Sequence, residues 1–138
     1  MLLDSSAFRE IYFIFQDSRA FCGWQLLKPG FRHVFAVEIH ASGWVCYDPS
    51  IHDMYCWPLP CAPDASFIEH YKLNNPSDTV LKITARPKRK AQYARFSLMS
   101  CVSIMKYILG VRWPFVITPH QLYSRLTSQQ FENMEIES

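Results

Sequence analysis

Glycine is scarce in this sequence, with 4 residues in 138. That excludes a collagen-like repeat, a glycine-rich loop for cradling phosphate and the Rossmann fingerprint. The 9 prolines are scattered, so no low-complexity segment is present either. Charge is thin as well, at 19% of residues, below the usual ~25%. The 14 Lys and Arg nearly cancel the 12 Asp and Glu, leaving +2. Such a balance lacks the basic bias of a nucleic-acid or membrane-surface binder, so neither partner is expected. No apolar run approaches the ~18–20 residues of a membrane span. Asp4, Arg9 and Glu10 interrupt the N-terminal stretch, which has no basic-then-apolar export pattern. The expectation is a soluble, cytoplasmic protein.

What the sequence does contain is apolar and aromatic. Hydrophobic residues make up 49%, including 10 Phe, 7 Tyr and 4 Trp. This is enough to build a core and excludes wholesale disorder. The length suits one domain, expected over residues 1–126, with a polar tail over 127–138 that frays. The 5 cysteines (Cys22, Cys46, Cys56, Cys61 and Cys101) are an odd number in a chain without an export pattern. They are read as reduced thiols.

Residues 11–15 form a continuous apolar run suited to a buried strand or a short helix. Residues 17–30 read as a loop holding one apolar stretch, 24–27. Residues 31–39 are β-rich, with Phe31, His33, Phe35, Val37 and Ile39 on one face. A short turn ending in Gly43 follows, β character resumes over 44–47, and Asp48-Pro49 stops it; the pattern is a hairpin. Residues 54–59 read as an edge strand, since Pro58 is tolerated only there. A short helix is expected over 64–74 with Asp64 as its N-cap, and a strand over 79–85. Helices are expected over 100–109, capped by Ser100 and closed by Gly110, and from Thr118-Pro119 through Leu126. Strands, helix, strand, helix, helix describes an α+β protein with a small antiparallel sheet packed against a Cys-bearing helix.

Chemistry is suggested first by Cys101. A cysteine at the start of a helix meets the partial positive charge of the helix N-terminus, which lowers a thiol pKa. The structural alternative is a small apolar residue opening a buried helix. His33 lies in the first hairpin strand, where a satisfied core histidine is the ordinary reading. Asp48 changes this, because a hairpin centred near 41–42 puts His33 opposite residue 49 or 50 and Asp48 within reach. A carboxylate there fixes the imidazole tautomer and stabilises the imidazolium.

The segment from His33 through Gly43-Trp44 to Asp48-Pro49, together with Ser100-Cys101, resembles the transglutaminase-like and papain-like cysteine enzymes. In that superfamily a His begins one strand, Gly-Trp opens the next, Asp-Pro closes it, and the nucleophilic Cys starts a helix. The Cys helix usually precedes the His strand. Here the order His33, Asp48, Cys101 resembles the circularly permuted, NlpC/P60-like branch, and the chain's small size and style resemble proteins of tailed bacteriophages. The resemblance implies a permuted papain-like core and a Cys101–His33–Asp48 triad. It further implies hydrolysis of an amide, peptide or ester bond, or acyl transfer, through a thioacyl intermediate, on a protein or peptide substrate. No cofactor or metal is required for such chemistry, and none is expected. A phage origin would place the protein in the host cytoplasm or the virion. Backbone N–H groups at the start of the Cys101 helix would bind the oxyanion. Trp24, Gln25 and Ser97 are the side-chain candidates for the same role.

Other features compete for attention. His52, Cys56 and Cys61, with His40 or Cys46 as a fourth ligand, have zinc-binding types without a standard spacing. Lys88, Arg89, Lys90 and Arg95 form a basic loop over 86–95. It is a solvated loop, a cleft wall favouring an acidic or phosphorylated partner, or the binding surface of a catalytically inactive module that takes a protein or nucleic acid. Cys46 shares a face with Asp48, and sheet burial is its simpler reading. Asp53, Glu38 and Glu69 read as surface carboxylates.

Overall fold

The computed structural model describes residues 9–17, 27–49, 54–85, 101–109, 111, 113–128 and 134–137. Its strands are β1 (Arg9–Gln16), β2 (His33–His40), β3 (Gly43–Pro49), β4 (Met54–Leu59), β5 (Thr79–Ala85) and β6 (Met134–Glu137). Its helices are α1 (Ser66–Asn74), α2 (Cys101–Leu109) and α3 (Pro119–Ser128). The strands form one six-stranded sheet in the order β4-β3-β2-β1-β5-β6. Every pairing is antiparallel. The class is therefore α+β. Among the described residues no helix is long and apolar enough to cross a membrane.

The apolar run at 11–15 becomes a strand rather than a helix because it sits between two partners. Phe13 pairs with Ala36 on one side and Leu81 on the other. Helices cover both faces of this central strand, so both of its side-chain rows are buried and period-two alternation vanishes from the sequence. One row, Ile11, Phe13 and Phe15, joins Val34, Ala36, Leu81 and Ile83 beneath Val102, Met105 and Leu109 of α2 and Leu122 and Leu126 of α3. The other row, Tyr12 and Ile14, joins Val37, Trp44, Cys46 and Val80 against Ile68 of α1.

Local chemistry sets the element ends. Gly43 follows the two-residue turn at φ +139, a region that disfavours side chains. A Cβ there would meet the Cys61 carbonyl at 3.2 Å. Thr118 caps α3 as expected: its Oγ1 accepts the Gln121 N–H at 3.2 Å, while Gln121 Oε1 accepts the Thr118 N–H at 3.1 Å, a reciprocal capping box. Lys106 Nζ donates to the Trp113 and Val116 carbonyls at 3.0 and 2.9 Å, fastening the α2–α3 connection to α2.

Several expectations need correction. Asp64 stands one residue before the N-cap position, which is Ala65; its Oδ1 still accepts the Ser66 N–H at 3.0 Å. Residues 134–137, placed by their polarity in a fraying tail, pair with β5 as β6, and α3 runs to Ser128. A polar strand suffices at an outer edge. Phe31 does not share the His33 face, because β2 begins at His33. The Phe31 ring instead meets Phe15, Tyr123 and His120 at 5.7, 5.0 and 5.1 Å. Ser100 and Gly110, the expected ends of the α2 segment, lie outside the described residues.

Candidate active site

The hairpin carries the first two residues. β2 and β3 are joined by Ala41-Ser42, with His40 opposite Gly43 and Ala36 opposite Tyr47. The next rung of this alternating ladder would need Val34 opposite Pro49, and proline has no N–H to exchange. The register ends before it, at Ala36–Tyr47. β3 meanwhile continues its pairing with β4 through Asp48–Tyr55 and Pro49–Met54. The start of β2 and the end of β3 thus face each other without a ladder.

His33 and Asp48 meet at this seam. His33 Nε2 lies 2.8 Å from Asp48 Oδ1, and the side chains are 18% and 38% exposed. A carboxylate accepts only, so the bond requires Nε2 to carry the proton and leaves Nδ1 as an acceptor. The imidazole also stacks on Phe35, with ring centroids 6.4 Å apart. Phe35 in turn abuts Tyr71, whose hydroxyl donates to Asp78 Oδ2 at 2.6 Å. These contacts hold the ring from one side while Asp48 holds it from the other.

α2 begins on the opposite face of the sheet, at the same seam. Cys101 is its first residue and packs against the core that contains Val34. The Val34 N–H, spared by the missing rung, faces the sulfur, as do the N–H groups of Val102 and of Cys101 itself. Burial nevertheless raises the thiol pKa above the ordinary 9.0, these N–H groups pull it back, and the Asp48 charge raises it again. The direction is the reverse of that expected from helix placement. Desolvation of the thiolate outweighs the N-terminal dipole because the sulfur is packed into the sheet rather than set at the surface. Cys101 is therefore a neutral thiol near pH 7, ringed by N–H groups, beside the residue that follows His33 and within electrostatic range of Asp48.

Cys46 shares the α1 face with Asp48 and does not compete as a nucleophile. It is 5% exposed, and burial, with smaller contributions from Asp48 and Cys56, pushes its pKa up to about 12. A consequence for stability follows. The unfolded Cys46 releases its proton near 9, whereas the folded thiol keeps it to about 12. The unfolded chain thus binds fewer protons across that window, and stability, intact below pH 9, falls as pH rises through it, by up to ~1.4 kcal/mol per pH unit. Tyr71 shifts upward through burial and its bond to Asp78, and adds to the fall. Urea midpoints at pH 8 and pH 11 should separate less in Cys46→Ala than in the parent; equal separations would refute the assignment.

Glu38 was missed by sequence reasoning. It is 2% exposed rather than at the surface, because β2 is an inner strand covered on both sides. His40 Nε2 lies 3.7 Å from Glu38 Oε2 at the turn end of the hairpin. The signal available was its position inside a strand flanked by two others. Trp24, Gln25, Ser97, Lys88, Arg89, Lys90 and Arg95 lie outside the described residues, as do Cys22, His52 and Asp53. Cys56 is exposed on β4, and Cys61 packs beside the α1-face core. Among the described residues no three His, Cys, Asp or Glu side chains gather as a metal site. The chain matches no protein-family model, and no curated protein or solved structure matches it.

Proposed function

We propose that the protein is a cysteine hydrolase or acyl transferase of the permuted papain-like type, with Cys101 as nucleophile, His33 as general base and Asp48 as the residue that orients His33. The observation that carries this reading is the 2.8 Å His33–Asp48 contact at the seam where α2 brings Cys101 against Val34. Among the described residues the imidazole's one hydrogen-bond partner is the Asp48 carboxylate, on Nε2.

The chemistry follows from the protonation states. The resting thiol is neutral, so catalysis proceeds by general base rather than from a standing ion pair. His33 and Cys101 stand on opposite faces of the sheet, so in the proposed reaction the Cys101 proton passes to His33 Nδ1 through the open end of the β2–β3 seam as sulfur attacks the carbonyl carbon of an amide or ester. The carbonyl oxygen becomes an oxyanion, bound by the N–H groups around the sulfur. Those N–H groups gain most when negative charge develops, which favours the transition state over the substrate. The imidazolium returns its proton to the leaving amine or alkoxide as the C–N or C–O bond breaks. The thioester is then resolved by water, giving a hydrolase, or by an amine, giving a transferase.

The test is mass spectrometry of the intact protein after brief exposure to p-nitrophenyl acetate at pH 7. Peptide mapping should place one acetyl group on Cys101, absent from Cys101→Ser and retained in Cys46→Ser. Acetylation spread over the exposed Cys56 and surface lysines, unchanged in Cys101→Ser, would overturn the proposal.

A further inference from the structure

The net charge of +2 conceals a segregation. Residues 79–131 contain nine of the 14 Lys and Arg and no Asp or Glu, while the rest of the chain holds the other five and all 12 acids. α2 and α3 come entirely from the acid-free stretch and together cover one face of the sheet. α1, which covers the other face, comes from the acidic part. The balance that argues against a charged-surface partner is thus struck between two parts of the chain, not within each.

Within the acid-free layer, the turn between α2 and α3 shows large apolar side chains to solvent. Trp113 and Val116 pack on the core, whereas Phe115 is 89% and Ile117 66% exposed. The turn is stiff. Pro114 presets its backbone, the Val116 N–H donates to the Trp113 carbonyl at 3.1 Å, and Lys106 Nζ holds the carbonyls of both residues. The N–H groups of Ile117 and Thr118 donate to Gln121 Oε1 at 2.9 and 3.1 Å. These backbone groups are bonded inside the protein, so they can leave water without losing a partner. Exposed cations flank the turn. Lys28 Nζ donates to His120 Nε2 at 3.2 Å, three residues past Ile117. The Arg125 guanidinium lies over the Trp113 ring, 5.4 Å from its centroid and two residues before Phe115.

We infer that the turn at 113–118 docks on an anionic lipid surface, with Phe115 and Ile117 entering the boundary between headgroups and acyl chains and Lys28 and Arg125 beside the lipid phosphates. Each part of the patch has its counterpart there. The boundary takes up apolar side chains and offers the backbone few partners, which suits a turn whose own groups are already bonded. Anionic headgroups attract the cations beside it. Other occupants fit less well. A nucleic acid would stack a base on Phe115, but Ile117 has no ring to offer the next one. A second copy docked two-fold on the same turn would bring one acid-free helix layer against another, with no carboxylate in α2 or α3 to answer the cations. The docking is independent of the cysteine chemistry and goes beyond it.

The experiment is co-sedimentation of the full-length protein with vesicles of phosphatidylcholine, with and without phosphatidylserine. Binding should require phosphatidylserine and weaken as salt rises. The double variant Phe115→Ser/Ile117→Ser should bind about tenfold or more weakly, since the apolar area it would insert is gone. Both positions are exposed, so its circular dichroism and urea midpoint should match the parent's. Lys28→Gln/Arg125→Gln should bind more weakly at low salt and converge on the parent at high salt. Absence of vesicle binding, equal binding to vesicles without phosphatidylserine, or binding that Phe115→Ser/Ile117→Ser leaves unchanged overturns the inference. So does a dimer in sedimentation that the double variant dissolves, since the patch would then belong to a second copy. Binding of a single-stranded oligonucleotide that the double variant abolishes, in a protein that ignores vesicles, overturns it in favour of nucleic acid.

Discussion

On the proposed mechanism, His33→Ala should slow acetylation of Cys101 by about 10²–10⁴-fold, the range over which a positioned general base acts. The pH profile separates loss of the base from a general disturbance of the site. On the proposed mechanism, imidazole removes the proton from a thiol whose pKa burial raises, so the parent's rate does not depend on a standing thiolate fraction. Without His33 only the small thiolate fraction reacts, and the rate climbs about tenfold per pH unit below the thiol pKa. The two profiles therefore converge at alkaline pH. Asp48→Asn should fall in the same range of loss. An amide at the 2.8 Å contact can present a hydrogen-bond donor to Nε2, which favours the wrong tautomer, and it cannot stabilise the imidazolium. Rates of p-nitrophenolate release between pH 6 and 10 measure all three proteins. Superimposable profiles for parent and His33→Ala would remove His33 from the mechanism.

The largest loss of stability is expected at Phe13→Ala, about 3–5 kcal/mol. Phe13 is 0% exposed and lies in the middle of the central strand, beneath α2 and α3. Pairing on both sides and helix cover on one face leave little freedom for the site to collapse around the cavity, which puts the cost at the upper part of the range. Domains of this size hold only about 5–15 kcal/mol in total, so the variant should lose much of its margin. Urea denaturation read by tryptophan fluorescence should show a lowered midpoint with an unchanged slope. A loss below about 1 kcal/mol would mean that the β1 row beneath α2 and α3 is not the main core.

The hairpin and its neighbours were legible in the sequence because their signals are local. Gly43 after a two-residue turn, Asp48-Pro49 at the strand end and Pro58 at an edge each act within a few residues, and together they brought His33 to Asp48. The position of Cys101 at a helix start was legible for the same reason. Its protonation was not. Whether a thiol at a helix N-terminus is acidic depends on how deeply the sulfur is packed, and that depends on the β2–β3 seam, which no local pattern announces. Glu38 failed likewise: its burial comes from strands placed beside it by long-range pairing. The tail failed in the opposite sense, since β6 has no apolar alternation to advertise a strand and is defined by its register against β5.

The order in which the sheet is threaded bears on how the chain is made. β1 leaves the ribosome first yet waits longest for its surroundings: β2 follows soon, but β5, which pairs Ala85 with Arg9, comes only after the whole meander and α1. Each such distant closure is slow because loop entropy precedes the contacts that offset it. Until β5 arrives, an apolar strand keeps one edge open, the condition under which nascent chains associate wrongly. The meander β2–β3–β4, by contrast, can close on itself as soon as it emerges, with His33 and Asp48 already in partnership. The thiol is synthesised last of the three. On the proposed mechanism a nascent chain or one terminated before α2 therefore carries base without nucleophile, and acyl chemistry begins only after β1 to β5 have been made.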